Sequence, residues 1–340
     1  MDKVDLDWGN IGFQYRKTDY RYIAHWKDGK WSEGKLDEGS YVSLHEGSPI
    51  LHYGQGCFEG LKAQTAKDDR VLIFRPDQNA KRMIKSAQGL MMPEVPEEMF
   101  LDACVQAVQA NLRWVPPYGS GAALYIRPYQ IGLGENLGVK PAPEYIFSVF
   151  VCPVGPYFKG GFKPIILITT VYDRAAPFGT GALKVGGNYA GSLLAHELAV
   201  KAGYTDCIYL DPKTHTCIDE VGSSNFFGIT KDNKFVTPKS SSILPSITKY
   251  SLMDIAKKYL DMEIEERDVP INKLDEFTEA GACGTAAVIT PIGKIFHNGK
   301  DYIFGDGKEA GPVTKKLYNI LTGIQRGEQE APEGWLVEVK

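Results

Sequence analysis

Lys184 stands in Gly181-Ala182-Leu183-Lys184-Val185-Gly186-Gly187-Asn188-Tyr189, a lysine flanked by small residues ahead of a helical stretch. A lysine amine can act as nucleophile or proton carrier. Most lysines so placed are solvated surface residues, and what sets this one apart lies downstream. Ile218-Asp219-Glu220-Val221-Gly222 places a carboxylate at a strand end. Leu244-Pro245-Ser246-Ile247-Thr248 opens a helix whose free N–H groups suit a phosphate. Gly284-Thr285-Ala286 is a tight turn with small side chains, suited to a bound carboxylate. Each signal is weak alone; in this order they supply the parts of a cofactor site.

Two other patterns carry less. Gly132-Leu133-Gly134-Glu135-Asn136-Leu137-Gly138 resembles a dinucleotide fingerprint, but its spacing is G-x-G-x-x-x-G and no clear helix follows. Cys207, His215 and Cys217 match no metal-ligand spacing, and Asp211-Pro212 between them reads as a hairpin turn. No metal site is expected.

Taken together, the segments resemble the branched-chain aminotransferases, within the fold-type IV pyridoxal-phosphate enzymes. The N-terminal half agrees in Thr18-Asp19, His52-Tyr53, Phe58-Glu59-Gly60, Phe74-Arg75-Pro76, Asn79, Arg82-Met83, Leu124-Tyr125-Ile126-Arg127-Pro128 and Leu137-Gly138-Val139. The resemblance runs from about Phe13 to Thr290. It implies that Lys184 forms the Schiff base with pyridoxal 5'-phosphate and later moves a proton. It implies Glu220 as the partner of the pyridine nitrogen and Tyr189 as a hydrogen-bond donor to the ring phenolate. Arg82, the N–H groups of Ile247 and Thr248, and Thr285 are implied as the phosphate clamp. By helical spacing alone Arg82 falls off the apolar stripe and would be a solvated helix residue.

The same resemblance implies transamination between leucine, isoleucine or valine and 2-oxoglutarate, giving branched 2-oxo acids and L-glutamate by a ping-pong mechanism. Phe13, Tyr53, Tyr125, Arg127, Tyr157, Thr285 and Ala286 resemble the family's substrate pocket. Aromatic walls suit branched side chains, and Tyr53 and Arg127 at the far rim suit the glutamate side-chain carboxylate. Val139, with Leu137, is implied to enter the site from a neighbouring subunit, so a homodimer is expected. Mammalian members carry a C-x-x-C pair just after the carboxylate turn; here Ala287 and Thr290 stand there, so that thiol switch is absent. The alternatives are a D-amino-acid aminotransferase or an aminodeoxychorismate lyase on the same fold, or a non-catalytic binding protein. The Tyr125-x-Arg127 and Gly-Gly-Asn-Tyr segments favour the branched-chain branch.

The elements that must hold these residues can be read in outline. A strand pair surrounds Lys27-Asp28-Gly29, and a short apolar strand covers 71–74. Pro76 opens a helix with Ala80, Met83, Ile84 and Ala87 on one face, and a second helix runs near 97–114. Strands are expected at 122–129 and 145–151. Pro153-Val154-Gly155-Pro156 and Gly160-Gly161 concentrate turn residues, which places the interdomain loop at 156–163. The expected division is a smaller N-terminal α/β domain, 1–155, and a larger C-terminal pseudo-barrel domain that binds the cofactor, 164–340. Helices are expected over 189–202, after Pro245 and near 313–324, with strands near 164–172, 207–210, 217–221 and 225–229. The class is α+β in two domains. Residues 327–340 are charged and turn-rich and read as a tail with no assigned role.

Composition excludes several functions. The 340 residues are 43% hydrophobic and 24% charged, ordinary globular values. A net charge of −4 without a basic block offers no footing for nucleic acid or an anionic membrane. No apolar run approaches a membrane span, and the N-terminus has no signal-like core. Six cysteines without a C-x-x-C pair read as reduced thiols in a cytoplasmic protein.

Overall fold

Strict alternation shapes the central strand of the first sheet. From Leu124 to Leu133, side chains turn by turns inward and outward: Leu124, Ile126 and Gln130 are buried, while Tyr125, Arg127 and Tyr129 are only partly covered. A strand's period of two sorts apolar residues to one face and functional ones to the other. The computed structural model describes residues 3–155 and 162–340. Tyr157 and most of the loop expected at 156–163 lie outside the described residues.

Among the described residues, nine strands form this antiparallel sheet. They are β1 (Arg21–Lys27), β2 (Lys30–Trp31), β3 (Lys35–Asp37), β4 (Gly56–Phe58), β5 (Leu61–Thr65), β6 (Val71–Phe74), β7 (Ala123–Leu133), β8 (Glu144–Val154) and, from the chain's end, β18 (Leu336–Val339). The order is β18-β6-β5-β7-β8-β1-β2, with β3 on β1 and β4 on β7. Helices α1 (Pro49–Tyr53), α2 (Pro76–Gly89) and α3 (Glu97–Gln109) belong to the same unit. The inward residues of β7 and β8 pack with Met83 and Ala87 of α2 and Phe100, Ala103 and Ala107 of α3 into one core. The glycine-rich stretch after β7 turns back into β8 without a helix, so the dinucleotide reading fails on topology as well.

The second unit is built on β9 (Ile165–Thr169), β10 (Asp206–Leu210), β11 (Ile218–Val221), β12 (Ser224–Thr230), β13 (Phe235–Pro238), β14 (Ile264–Arg267), β15 (Phe277–Gly284), β16 (Val288–His297) and β17 (Lys300–Ile303). Six of these close on themselves in the order β11-β10-β9-β16-β15-β12, with β12 pairing back to β11. The result is a small barrel. Leu167, Ile208, Phe226, Ala282 and Ile295 share its buried core. Helices α4 (Gly186–Ala190), α5 (Leu193–Lys201), α6 (Ile247–Leu260) and α7 (Pro312–Gln325) complete the elements. Glu279 on β15 accepts hydrogen bonds from the N–H groups of Val313 and Thr314 and from the Thr314 hydroxyl, closing the first turn of α7.

One expectation changes. The single helix over 189–202 is two, α4 and α5, broken at Gly191-Ser192, where the Ser192 hydroxyl donates to the Tyr189 carbonyl. The tail, which had no assigned role, ends in β18, paired with β6 from Leu336↔Phe74 to Val339↔Val71. Leu183–Gly186 and Ile324–Lys340 cluster with the N-terminal unit, and Gly187–Gly323 with the barrel unit. No helix among the described residues is long and apolar enough to cross a membrane.

Candidate active site

In the first unit, Lys184 lies beside β4. Its backbone N–H donates to the Ser86 hydroxyl of α2 at 3.0 Å, and its carbonyl accepts from Phe58 N–H at 3.1 Å. Its Nζ sits 4.8 Å from the centre of the Phe58 ring. The protein packed around the ammonium pushes its pKa down to about 8; Arg82 adds to the push, Glu59 and Tyr125 oppose it, and Arg127 again adds. A lysine so shifted is about one-tenth uncharged at pH 7, a far larger share of nucleophilic amine than an ordinary lysine offers.

Arg82 is buried, not solvated as helical spacing suggested. Its Nε and Nη2 donate to the two oxygens of Glu59 at 2.8 and 2.7 Å. Asn79 Nδ2 donates to the same carboxylate at 2.7 Å. Glu59 reaches this point because the strand run alongside β7 breaks between β4 and β5. Glu59 N–H donates to the Pro128 carbonyl at 2.7 Å. A proline has no N–H to offer on that same edge, so the break opposite it leaves no ladder bond unmade. Gly60 follows because a Cβ there would collide with the Tyr125 hydroxyl.

Tyr125 and Arg127 share the open face of β7. Arg127 Nη2 donates to the Tyr125 hydroxyl at 3.1 Å, and its guanidinium lies 4.9 Å from the Phe58 ring centre. The buried Nε of Arg127 has no hydrogen-bond partner among the described residues. Phe13 meets Tyr125 edge-on at 5.8 Å. Tyr53 is engaged separately, donating to the Leu137 carbonyl. Leu137 and Val139 stand 91% and 86% exposed, an unusual setting for two apolar side chains.

In the second unit, Glu220 is buried near the end of β11. Its Oε2 lies 2.8 Å from Arg174 Nε, and its Oε1 accepts from Leu244 N–H at 2.6 Å. Arg174 also donates to the Gly181 and Ser242 carbonyls, both at 2.9 Å. Asn225, paired with Glu220 across the hairpin, donates to the Leu244 carbonyl at 3.1 Å. Glu220 and the start of α6 are therefore one hydrogen-bonded assembly. At that start Ser246 caps the helix by accepting from Lys249 N–H, while Ile247 and Thr248 are buried in its first turn, where N–H groups lack helical acceptors. Tyr189 lies in α4, where Asn188 exchanges hydrogen bonds with Thr180 at 2.8 and 2.7 Å. Thr285 and Ala286 form the turn from β15 into β16, which closes on Val288 at φ 64°, a conformation costly for a β-branched residue.

The residues with no role in the sequence reading are Phe58, Glu59, Ser86 and Arg174. Glu59 had a signal: an acid inside Cys57-Phe58-Glu59-Gly60-Leu61, where burial demands a cation. Arg174 had none, since it lies in a loop whose folding brings it to Glu220.

The pattern of the family described as Amino-transferase class IV matches residues 56–295, spanning both units. A branched-chain-amino-acid aminotransferase of Haemophilus influenzae is 65% identical over 99% of each chain. The chain belongs to the class IV aminotransferases, among the branched-chain-amino-acid enzymes. The crystal structure of the Escherichia coli branched-chain amino acid aminotransferase superposes with a TM-score of 0.79 at 28% identity, over 95% of this chain and 100% of that one. A T.th. branched-chain amino acid aminotransferase complexed with N-(5'-phosphopyridoxyl)-L-glutamate gives 0.76 at 27% identity, over 95% and 99%. The closed barrel and curled sheet are thus the fold-type IV architecture, as the sequence implied.

Proposed function

We propose that this class IV aminotransferase moves the amino group of leucine, isoleucine or valine onto 2-oxoglutarate with pyridoxal 5'-phosphate as cofactor. The observation that carries the reading is the 65% identity to a branched-chain-amino-acid aminotransferase over nearly the whole chain. The D-amino-acid aminotransferase and lyase alternatives are not favoured beside it.

The residues present fit the cofactor. Lys184 offers an amine pushed down to about 8, suited to a carbonyl. Arg82 in the first unit offers a guanidinium, and the first turn of α6 in the second offers N–H groups; each by itself suits a phosphate, and the family resemblance adds Thr285. Glu220, ion-paired to Arg174, offers a fixed anion for a protonated ring nitrogen. Bound pyridoxal phosphate supplies an aldehyde for the amino group and a ring that takes up negative charge from the substrate's α-carbon. Lys184 Nζ removes the α-proton and returns one to complete the transfer. Tyr189 donates to the ring oxygen, and the turn at Thr285 and Ala286 receives the substrate α-carboxylate.

Two different side chains must use one pocket. Phe13, Tyr53, Tyr125 and, by resemblance, Tyr157 supply aromatic walls for a branched side chain. The unsatisfied Nε of Arg127 supplies the charge that a glutamate side chain needs. Donor and acceptor therefore enter in turn, and the kinetics are ping-pong.

A homodimer in the cytoplasm completes the reading. The inner face of α5 is made of Ala195 and Ala199, packed on Cys207 and Tyr209, while Leu193, Leu194, Leu198 and Val200 are 63%, 55%, 45% and 46% exposed. A helix with its larger apolar residues outward calls for a second protein surface. The exposed Leu137 and Val139 support the view that each copy lends its loop to the other.

Lys184→Ala is expected to abolish turnover while the cofactor still binds through its phosphate. The check is a substrate panel of leucine, D-alanine and aminodeoxychorismate, with cofactor retention measured by equilibrium dialysis. Ordinary multiple turnover by the variant, or preference for either of the last two substrates by the wild type, overturns the proposal.

A further inference from the structure

Glu59 has no assigned part in the reaction, yet it is fully buried. Two donors of Arg82, one of Asn79 and the Gly60 N–H at 3.3 Å converge on it. Its charge is felt widely: with burial it pushes up the thiols of Cys57 and Cys104. If Arg82 served only to hold an anion, a buried carboxylate across its fork would be a disadvantage, because it cancels part of the attraction. The arrangement makes sense when the other cations are counted. Lys184 Nζ and the Arg127 guanidinium lie 4.8 and 4.9 Å from the centre of the same Phe58 ring, and Lys184 N–H donates to Ser86, one turn along α2 from Arg82; neither guanidinium can lose its proton.

We propose that Glu59 is a positioning residue for Lys184 that acts through Arg82, pinning the guanidinium by its Nε edge and offsetting its charge toward the amine. Without that offset Lys184 faces two unbalanced guanidiniums, and its protonated form is lost at lower pH. The direction agrees with the separate influences on Lys184, which Arg82 lowers and Glu59 raises. Lys62, cross-strand from Tyr125, provides an internal reference. It is also held at about 8, by burial and by Arg326, with no influence from Glu59 among the causes.

The inference rests on Lys184 being the cofactor amine, which borohydride reduction and peptide mapping of the loaded enzyme test separately. The inference itself is tested on the full chain stripped of cofactor, by competitive acetylation across pH with mass-spectrometric readout of each lysine. In Glu59→Gln the Lys184 midpoint should fall by about one pH unit, the effect of one elementary charge at close range in a protein interior. In Glu59→Gln/Arg82→Gln, which removes both charges, it should return to within about 0.3 of wild type. Lys62 should not move in either. If Glu59→Gln does not fold, Arg82→Gln and the double variant differ only at Glu59, and Arg82→Gln should then titrate about one pH unit higher. An unmoved Lys184 in Glu59→Gln, or equal midpoints in Arg82→Gln and the double variant, overturns the proposal. So does a parallel shift of Lys62, which marks a general loosening.

Discussion

At the scale of single residues, the chemistry depends on where charge is held. Arg127 shows it most directly, because in the proposed reaction one pocket reads both a methyl group and a carboxylate. A hydrogen bond to a charged group contributes about 1.5–3 kcal/mol, or roughly ten- to a hundred-fold in rate. Arg127→Gln should therefore slow single-turnover amino transfer from glutamate by about that factor and leave leucine nearly unaffected. Equal losses would show that the arginine only shapes the pocket. Glu220 makes a second case. Its carboxylate is held by Arg174 and Leu244 N–H, so Glu220→Gln keeps shape and loses charge. We expect the variant to bind cofactor and lose on the order of a hundred-fold or more in kcat. A near wild-type rate would mean that the acid serves only its partners. The titration of Lys184 sets the pH profile of its reactivity. Its value lies below that of an ordinary lysine, so the neutral amine grows as pH rises through about 8 and is nearly complete well before an ordinary lysine would uncharge.

At the scale of elements, the proposed phosphate seat depends on how one helix begins. Ser246 takes the Lys249 N–H, and the proposal gives those of Ile247 and Thr248 to the phosphate. Ser246→Ala should cost about 1 kcal/mol of stability and weaken cofactor binding, while leaving the Lys184 midpoint in place. Thermal melts with and without pyridoxal phosphate would separate the two effects; a variant with unchanged cofactor affinity would show that the cap does not order the seat. The broken helix over 189–202 teaches the same point about elements. The sequence reads 189–202 as one helix, but at Gly191-Ser192, where α4 gives way to α5, the Ser192 hydroxyl bonds the Tyr189 carbonyl.

At the scale of the molecule, the proposed homodimer rests on α5, which exposes Leu193, Leu194, Leu198 and Val200. Burying four large apolar side chains against a second copy removes surface that water would otherwise have to cover. Leu194→Glu with Leu198→Glu should shift the protein to a monomer in sedimentation velocity, with a loss of activity that follows dissociation. A dimer that survives both charges would place the subunit interface elsewhere.

Much of this was legible in the amino-acid order itself. Residues 122–129 read as a strand, and a strand's side chains reverse at every residue, which sorts Leu124 and Ile126 from Tyr125 and Arg127. Pro76 opened α2 and Pro245 preceded α6, because a proline is tolerated where the helix has not yet begun to donate. The ordered motifs around Lys184, Glu220 and Thr285 were local, so they identified the family without any knowledge of contacts. The tertiary structure decided what no local pattern carries. It buried Arg82 against Glu59, joined Arg174 to Glu220 from a loop, and returned the last residues to pair with β6. The reason is physical: a buried charge is tolerated only with its counter-charge beside it, and a strand edge only with another strand. Both partners come from wherever the folded chain passes.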